Sequence, residues 1–192
     1  MTTFYLCPHG ETENNKNGLL SGWVDTPLTN KGIEDAASTA KKLQGITFDT
    51  IIASDLGRAV TTAHIIAKKN DYTGTVEQFS EFREVNYGNL ANQHITAHAK
   101  VPMREKSSYA PPGGESLGQM QARVIQGLKR VNNAHKSEQI LLVAHDGTIN
   151  AIYALFTNRD IADVDTESSN AHDFVAKFTY QVEEIISFSI ME

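Results

Sequence analysis

A chain of 192 residues, 40% of them hydrophobic, is long enough to bury one substantial core but leaves no comfortable room for a second full domain. Its formal net charge of −6 has no basic stripe to offset it, which argues against nucleic acid as the main partner and requires any anionic ligand to find a local positive pocket. The single cysteine, Cys7, excludes an internal disulfide and a multi-cysteine zinc site, and no apolar run approaches the roughly 20 residues that span a bilayer. The N-terminus lacks the basic-then-apolar pattern of a signal peptide, so the expected location is cytoplasmic, away from membranes.

The first β-prone run, from Thr3, delivers His9 to a strand end, followed by Gly10, which lets the backbone pass close to a ligand. Cys7 reads as a small buried hydrophobe at the end of that strand. Asn14 to Pro27 is a polar loop holding Trp23, which is expected to pack rather than to touch a ligand. From Thr29, a suitable N-cap, Ile33, Ala36, Ala37, Ala40 and Leu43 fall on one helical face. Phe48 to Ala53 reads as a buried strand, and Ser54 as the cap of a second helix lined by Leu56, Ala59, Val60, Ala63, Ile66 and Ala67. Arg58 in the first turn of that helix puts a cation where a strand hands over to a helix, the place at which open α/β sheets bind ligands.

Thr75 to Phe79 is a further strand leading to Arg83 and Glu84. Asn89 to Gly114 has no clean periodicity and reads as a lid, within a cap insertion at about 85–115. Its His94 and His98 stand at i, i+4 without an obvious third metal ligand, so a polar lid surface is the preferred reading. Arg83, Lys100, Arg104 and Lys106 are lid cations that could meet an anion, but a solvated face is the preferred reading. Ser116 and Gln119 form a capping box ahead of a helix lined by Leu117, Met120, Val124, Leu128 and Val131. Gln139 to Ala144 is a second strongly apolar strand ended by His145-Asp146-Gly147, and a helix follows through Ile149, Ile152, Tyr153 and Phe156. Phe174 to Tyr180 and Ile185 to Ile190 read as a closing hairpin. Alternating strands and helices predict a three-layer α/β/α sandwich with a mostly parallel sheet, one domain over 1–192.

Two histidines, an arginine and a glutamate would then converge on one rim of a parallel sheet. Their setting resembles the histidine phosphatase superfamily, the phosphoglycerate mutase-like enzymes. The resemblance runs through His9-Gly10-Glu11-Thr12, Asn15, Trp23 to Thr29, Ser54 to Ala63, Arg83-Glu84 with Tyr87-Gly88, Pro112 to Ser116, and Ala144 to Gly147. It implies that His9 is a nucleophile taking a phosphoryl group, Glu84 the general acid, and Arg58 and His145 the holders of phosphoryl oxygens. Asn15, Gly10, Gly147 and Arg83 are then expected to line the substrate site. No metal and no cofactor is implied.

One position departs from the family pattern. Where the family carries arginine immediately before the first histidine, this chain has Pro8, which supplies neither a side-chain donor nor a backbone N–H. Three consequences stay open: a slow enzyme, a compensating lid cation such as Arg83 or Arg104, or a phosphate-binding protein that no longer turns over. The resemblance implies first a phosphomonoesterase acting on a small phosphorylated metabolite. The alternatives are a cofactor-dependent phosphoglycerate mutase and a non-catalytic phospholigand-binding protein, with assembly into a homodimer left open.

Overall fold

The computed structural model describes residues 1–96, 102–103, 107–164, 172, 174–181 and 184–191. Six strands, β1 (Thr2–Pro8), β2 (Thr50–Ser54), β3 (Val76–Phe79), β4 (Gln139–Ala144), β5 (Ala176–Gln181) and β6 (Glu184–Ile190), form one sheet in the order β3-β2-β4-β1-β5-β6. The first four run parallel, and β5 and β6 add an antiparallel edge beside β1. The helices among the described residues are α1 (Glu13–Lys16), α2 (Asn30–Lys42), α3 (Gly57–Lys69), α4 (Leu117–Ala134) and α5 (Asp146–Thr157).

Strand alternation splits the core in two. Phe4, Leu6, Ile52, Ile140 and Leu142 pack with Met120, Val124 and Leu128 of α4 and Ile149 and Ile152 of α5. Tyr5, Cys7, Ile51, Ala53, Leu141 and Val143 pack on the opposite face with Ala40 of α2 and Ala59, Ala63 and Ile66 of α3. The result is the three-layer sandwich, with the buried central strands reading as continuous apolar runs. Among the described residues no helix is long and apolar enough to cross a membrane.

Several local expectations need correction. The start of the polar loop is helical: Thr12 and Asn15 make a capping box that closes the single turn of α1. On α2 the buried side is Gly32, Ala36, Thr39 and Ala40, and Ile33 is 48% exposed. The helix is rotated because Gly32 lies against the backbone of Glu11, where an added Cβ would stand 2.0 Å from a carbonyl oxygen. Gly10 is pressed equally closely on Gly32, so the chain leaving β1 is pinned to the start of α2 by two missing side chains. Ser54 is the last residue of β2 rather than a helix cap; α3 begins at Gly57 after Leu56, and Asp25 from the Trp23 loop accepts the Gly57 N–H. That acidic side chain satisfies an orphan donor at the positive end of the helix.

The hairpin connection at 182–183, and most of the lid cations, lie outside the described residues: Lys100, Arg104, Lys106 and also His98. The described lid is tied to the loop after α1, with Asn92 N–H donating to Leu20 O at 2.7 Å and Ile95 N–H to Gly18 O at 2.8 Å. At α4 the predicted box is in place, Ser116 Oγ accepting from Gln119 N–H at 3.1 Å and Gln119 Oε1 from Ser116 N–H at 2.8 Å. Ser116→Ala is expected to lower unfolding free energy by about 1 kcal/mol, read by urea denaturation; no change in midpoint would mean that the cap is dispensable.

Candidate active site

The C-terminal ends of β1, β2, β3 and β4 share one rim of the sheet, and a cavity of about 240 Å3 opens there between β1, α1, α4 and α5. His9, Asn15, Arg58, Glu84 and Gly147 line it, with Leu19, Leu20, Met120, Ile161 and Val164 as apolar walls.

His9 follows β1, its N–H continuing the ladder to Ala144 O at 3.1 Å. The imidazole is held at both nitrogens: Nδ1 lies 2.8 Å from Gly10 O, and Nε2 accepts from Arg58 Nε–H at 3.1 Å. A carbonyl can only accept and a guanidinium only donate, so this network assigns the neutral tautomer with the proton on Nδ1 and the lone pair on Nε2. Burial and the Arg58 charge push the His9 pKa down from 6.5 to about 3, the Gly10 bond opposing them.

Arg58 is 2% exposed. Besides His9, its guanidinium donates to Gly22 O at 2.8 Å, to Val24 O at 3.1 Å and to Asp25 Oδ1 at 3.4 Å. Burial lowers its pKa, and the carboxylates of Glu84 and Asp25 counter that. Its own carbonyl accepts from Thr62 Oγ1 at 2.9 Å, and Thr62 Oγ1 in turn accepts from Gly10 N–H at 3.1 Å, tying α3 to the turn after β1.

His145 caps α5 and is fully buried, its ring 5.1 Å from that of His9 in an edge arrangement. Ser54 Oγ lies 2.9 Å from its Nε2, while Nδ1 has no hydrogen-bond partner among the described residues. Burial, then the charge of Arg58, holds its pKa well below the usual value. A buried polar atom left unpaired costs free energy, which suits a group meant for a ligand. Glu84 reaches the opposite wall, accepting from Val85 N–H at 2.7 Å and Gly147 N–H at 3.3 Å. A Cβ on Gly147 would lie 2.1 Å from Glu84 Oε1, so any larger residue would push the carboxylate from its place. Asn15 spends Oδ1 on Thr12, which leaves its amide NH2 for the cavity it lines.

Three expected contacts are placed differently. His145 stands beside His9 but is fully buried and off the cavity lining. Arg83 does not line the cavity; Asp55 takes its guanidinium in a fork at 2.7 and 2.6 Å, and its face stacks 4.7 Å from the Trp23 ring centroid. Gly10 is likewise off the lining, serving through its carbonyl on His9. Pro8 is buried, and no side-chain donor enters the cavity from it. Thr3 and His9 both donate toward β4, so the ladder groups of Pro8 face β5, where pairing has already ended at Leu6 and Ala176. A missing N–H is tolerated there. Asp25, Arg123 and His172 also reach this region, His172 Nδ1 standing 3.1 Å from His9 O, and none of them carries a local pattern from which that role can be read.

Residues 4–188 match the family model described as histidine phosphatase superfamily (branch 1). The chain belongs to that superfamily. As a member it is a phosphoryl-transfer enzyme, and phosphatase activity is supported across its relatives. It is 31% identical over 174 residues to the uncharacterized phosphatase PhoE of Bacillus subtilis (strain 168), covering 88% of this chain and 83% of that one. It is 32% identical over 162 residues to the 2,3-bisphosphoglycerate-dependent phosphoglycerate mutase of Bartonella tribocorum, covering 78% and 79%. Among solved structures, Bacillus stearothermophilus YhfR superposes with a TM-score of 0.85 at 25% identity over 96% of this chain and 94% of that one. These superfamily relatives leave the fold expectation intact.

The neutral histidines set a pH dependence of stability. His9 takes up its proton near pH 6.5 when unfolded but only near 3 when folded, so between those values the unfolded chain binds more protons. Stability therefore rises with pH across that window and is lost as pH falls through it. His9→Asn is expected to flatten the dependence by up to about 1.4 kcal/mol per pH unit, measured as melting temperature from pH 7 down to 4. An unchanged slope would mean that His9 is protonated in the folded chain.

Proposed function

We propose that the chain is a phosphomonoesterase that hydrolyses a small phosphorylated metabolite through a phosphohistidine on His9. One observation carries this reading: the Gly10 carbonyl holds the His9 proton on Nδ1, so a lone pair on Nε2 meets the Arg58 cation beside the cavity that Glu84 lines.

A phosphate oxygen arriving at Arg58 takes over the Nε–H bond now made to His9, freeing Nε2 at the moment the phosphorus comes within reach. The Nε2 lone pair attacks phosphorus, the ester P–O bond breaks, and the Glu84 carboxyl gives its proton to the departing oxygen. Glu84, now a carboxylate, takes a proton from water as the water oxygen attacks; the P–N bond breaks and its electron pair returns to Nε2. With Nε2 accepting from Ser54 Oγ, His145 Nδ1–H and the Asn15 side-chain amide N–H hold phosphoryl oxygens with Arg58. Phosphoryl transfer is mainly positioning and charge stabilisation, so these donors matter as much as the nucleophile. His9→Ala should abolish an acid-labile, base-stable phosphoprotein that rapid quench with labelled substrate detects in the parent chain. A label persisting in the mutant would overturn the assignment.

The mutase alternative has support from the Bartonella tribocorum relative. Hydrolysis is favoured by the charge of the cavity: among its described lining residues Arg58 is the one Lys or Arg, facing the acidic Glu84 and Asp146, a poor setting for retaining a sugar acid. Pro8 also withholds the donor that the family arginine supplies. Losing one preorganised donor costs on the order of 10² to 10³ in rate, and Pro8→Arg is expected to recover about tenfold in kcat/KM. Unchanged or lower activity in a folded Pro8→Arg protein would show that another group already fills the place.

A further inference from the structure

Glu84 sits in an irregular stretch, residues 83–87, with no helix or strand of its own to hold it. Its backbone is instead gathered around one side chain of α4. Arg123 donates through Nη1 to Glu81 O at 2.9 Å and Arg83 O at 2.7 Å, and through Nη2 to Glu84 O at 2.8 Å. The same guanidinium forms a fork with Glu115, at 3.0 Å through Nε and 2.6 Å through Nη2. Glu115 completes the tie on the other side, its Oε1 accepting from Asn86 N–H at 2.8 Å and its N–H donating to Asn86 O at 2.9 Å. Trp23 adds a donor, Nε1 to Glu84 O at 2.8 Å, and its ring lies under both Arg83 and Arg123, 4.7 and 5.9 Å from their guanidinium carbons.

We infer that the Arg123–Glu115 ion pair, with Trp23, is a positioning device that holds the Glu84 carboxyl at the distance from which it protonates the leaving oxygen. The inference rests on the phosphatase reading above. A carboxyl on an unsupported loop wanders, and a misplacement of about 1 Å can cost on the order of 10²-fold in rate. Four carbonyls of residues 81–86 are fixed, three by the Arg123 guanidinium and one by the Glu115 N–H, and the guanidinium is itself held by a partly buried fork to the Glu115 carboxylate whose planar geometry lysine cannot copy. Neither Arg123 nor Glu115 lines the cavity; the Arg123 charge also helps to keep His145 neutral, an effect common to both esters used below, so the route through Glu84 is the one that separates them.

The test uses two esters. The phenolate of p-nitrophenyl phosphate leaves without a proton, whereas the alkoxide of glycerol phosphate needs one. Because kcat/KM runs from free enzyme and substrate to phosphoryl transfer to His9, it includes binding and the acid-assisted step and is blind to later hydrolysis, and the difference between the two esters isolates the proton. In Arg123→Ala, kcat/KM is expected to fall about 10²-fold for the glycerol ester and to stay within about threefold for the aryl ester, the pattern Glu84→Gln should show more strongly. Arg123→Lys should rescue only part of the loss. Equal losses on both esters, in a variant with a cooperative melt, would make the pair merely structural and overturn the inference. If Arg123→Ala does not fold, Glu115→Gln and Trp23→Phe each remove one tie; a smaller split in the same direction supports the role and no split overturns it. Failure of the parent chain to release phosphate from either ester would overturn the phosphatase reading itself.

Discussion

The buried guanidinium of Arg58 is the interaction on which the rest of the site depends. A cation that is 2% exposed needs its donors met, and this one draws in two segments far apart in sequence to meet them. The carbonyls of Gly22 and Val24 and the Asp25 carboxylate come from the loop before α2, and His9 Nε2 from the end of β1. Asp25 also serves the first turn of α3, so one carboxylate binds both the helix start and the cation that the helix delivers. The Trp23 loop is thereby anchored at Arg58 on one side and, through the indole N–H, at Glu84 on the other.

That cation also sets the charge state of its neighbours. Two histidines within 5.1 Å of each other, both buried beside Arg58, are kept neutral by desolvation and like-charge repulsion. Neutrality is what a phosphoryl acceptor requires, since a protonated imidazole has no lone pair to offer. The pocket thus keeps a fixed positive charge on the arginine and leaves the histidines as hydrogen-bonding groups. Ser54, at the end of β2, orients one of them.

The departure at Pro8 is absorbed by the sheet. Its missing N–H falls where β5 has stopped pairing, and His9 resumes donation to β4 at the next residue. The strand end therefore keeps its geometry while the proline brings no side-chain donor to the cavity, so the folding and the chemical consequences of this residue are separate. Arg83 does not make good the loss, because Asp55 and Trp23 already occupy its charge and its face.

Periodicity, capping residues and strand-end histidines were enough to place β1, β2, β4, α3 and α4 and to put His9, Arg58, Glu84 and His145 on one rim, because such signals are local and the parallel topology follows from their alternation. The motifs around them identified the family for the same reason: each is a short run read in order. The sequence could not show that Ile33 turns outward, because that rotation comes from Gly32 meeting Glu11 across a turn. Nor could it separate Arg83, spent on Asp55, from Arg58, aimed at His9, since both are arginines near strand ends until their partners are known. Arg123 was equally hidden, one charge on an amphipathic helix until the backbone of residues 81–84 folds onto it. Local pattern determined which groups reach the rim; long-range carboxylates and carbonyls decided which remain available there, because a guanidinium or imidazole is committed by whatever acceptor the fold brings within about 3 Å.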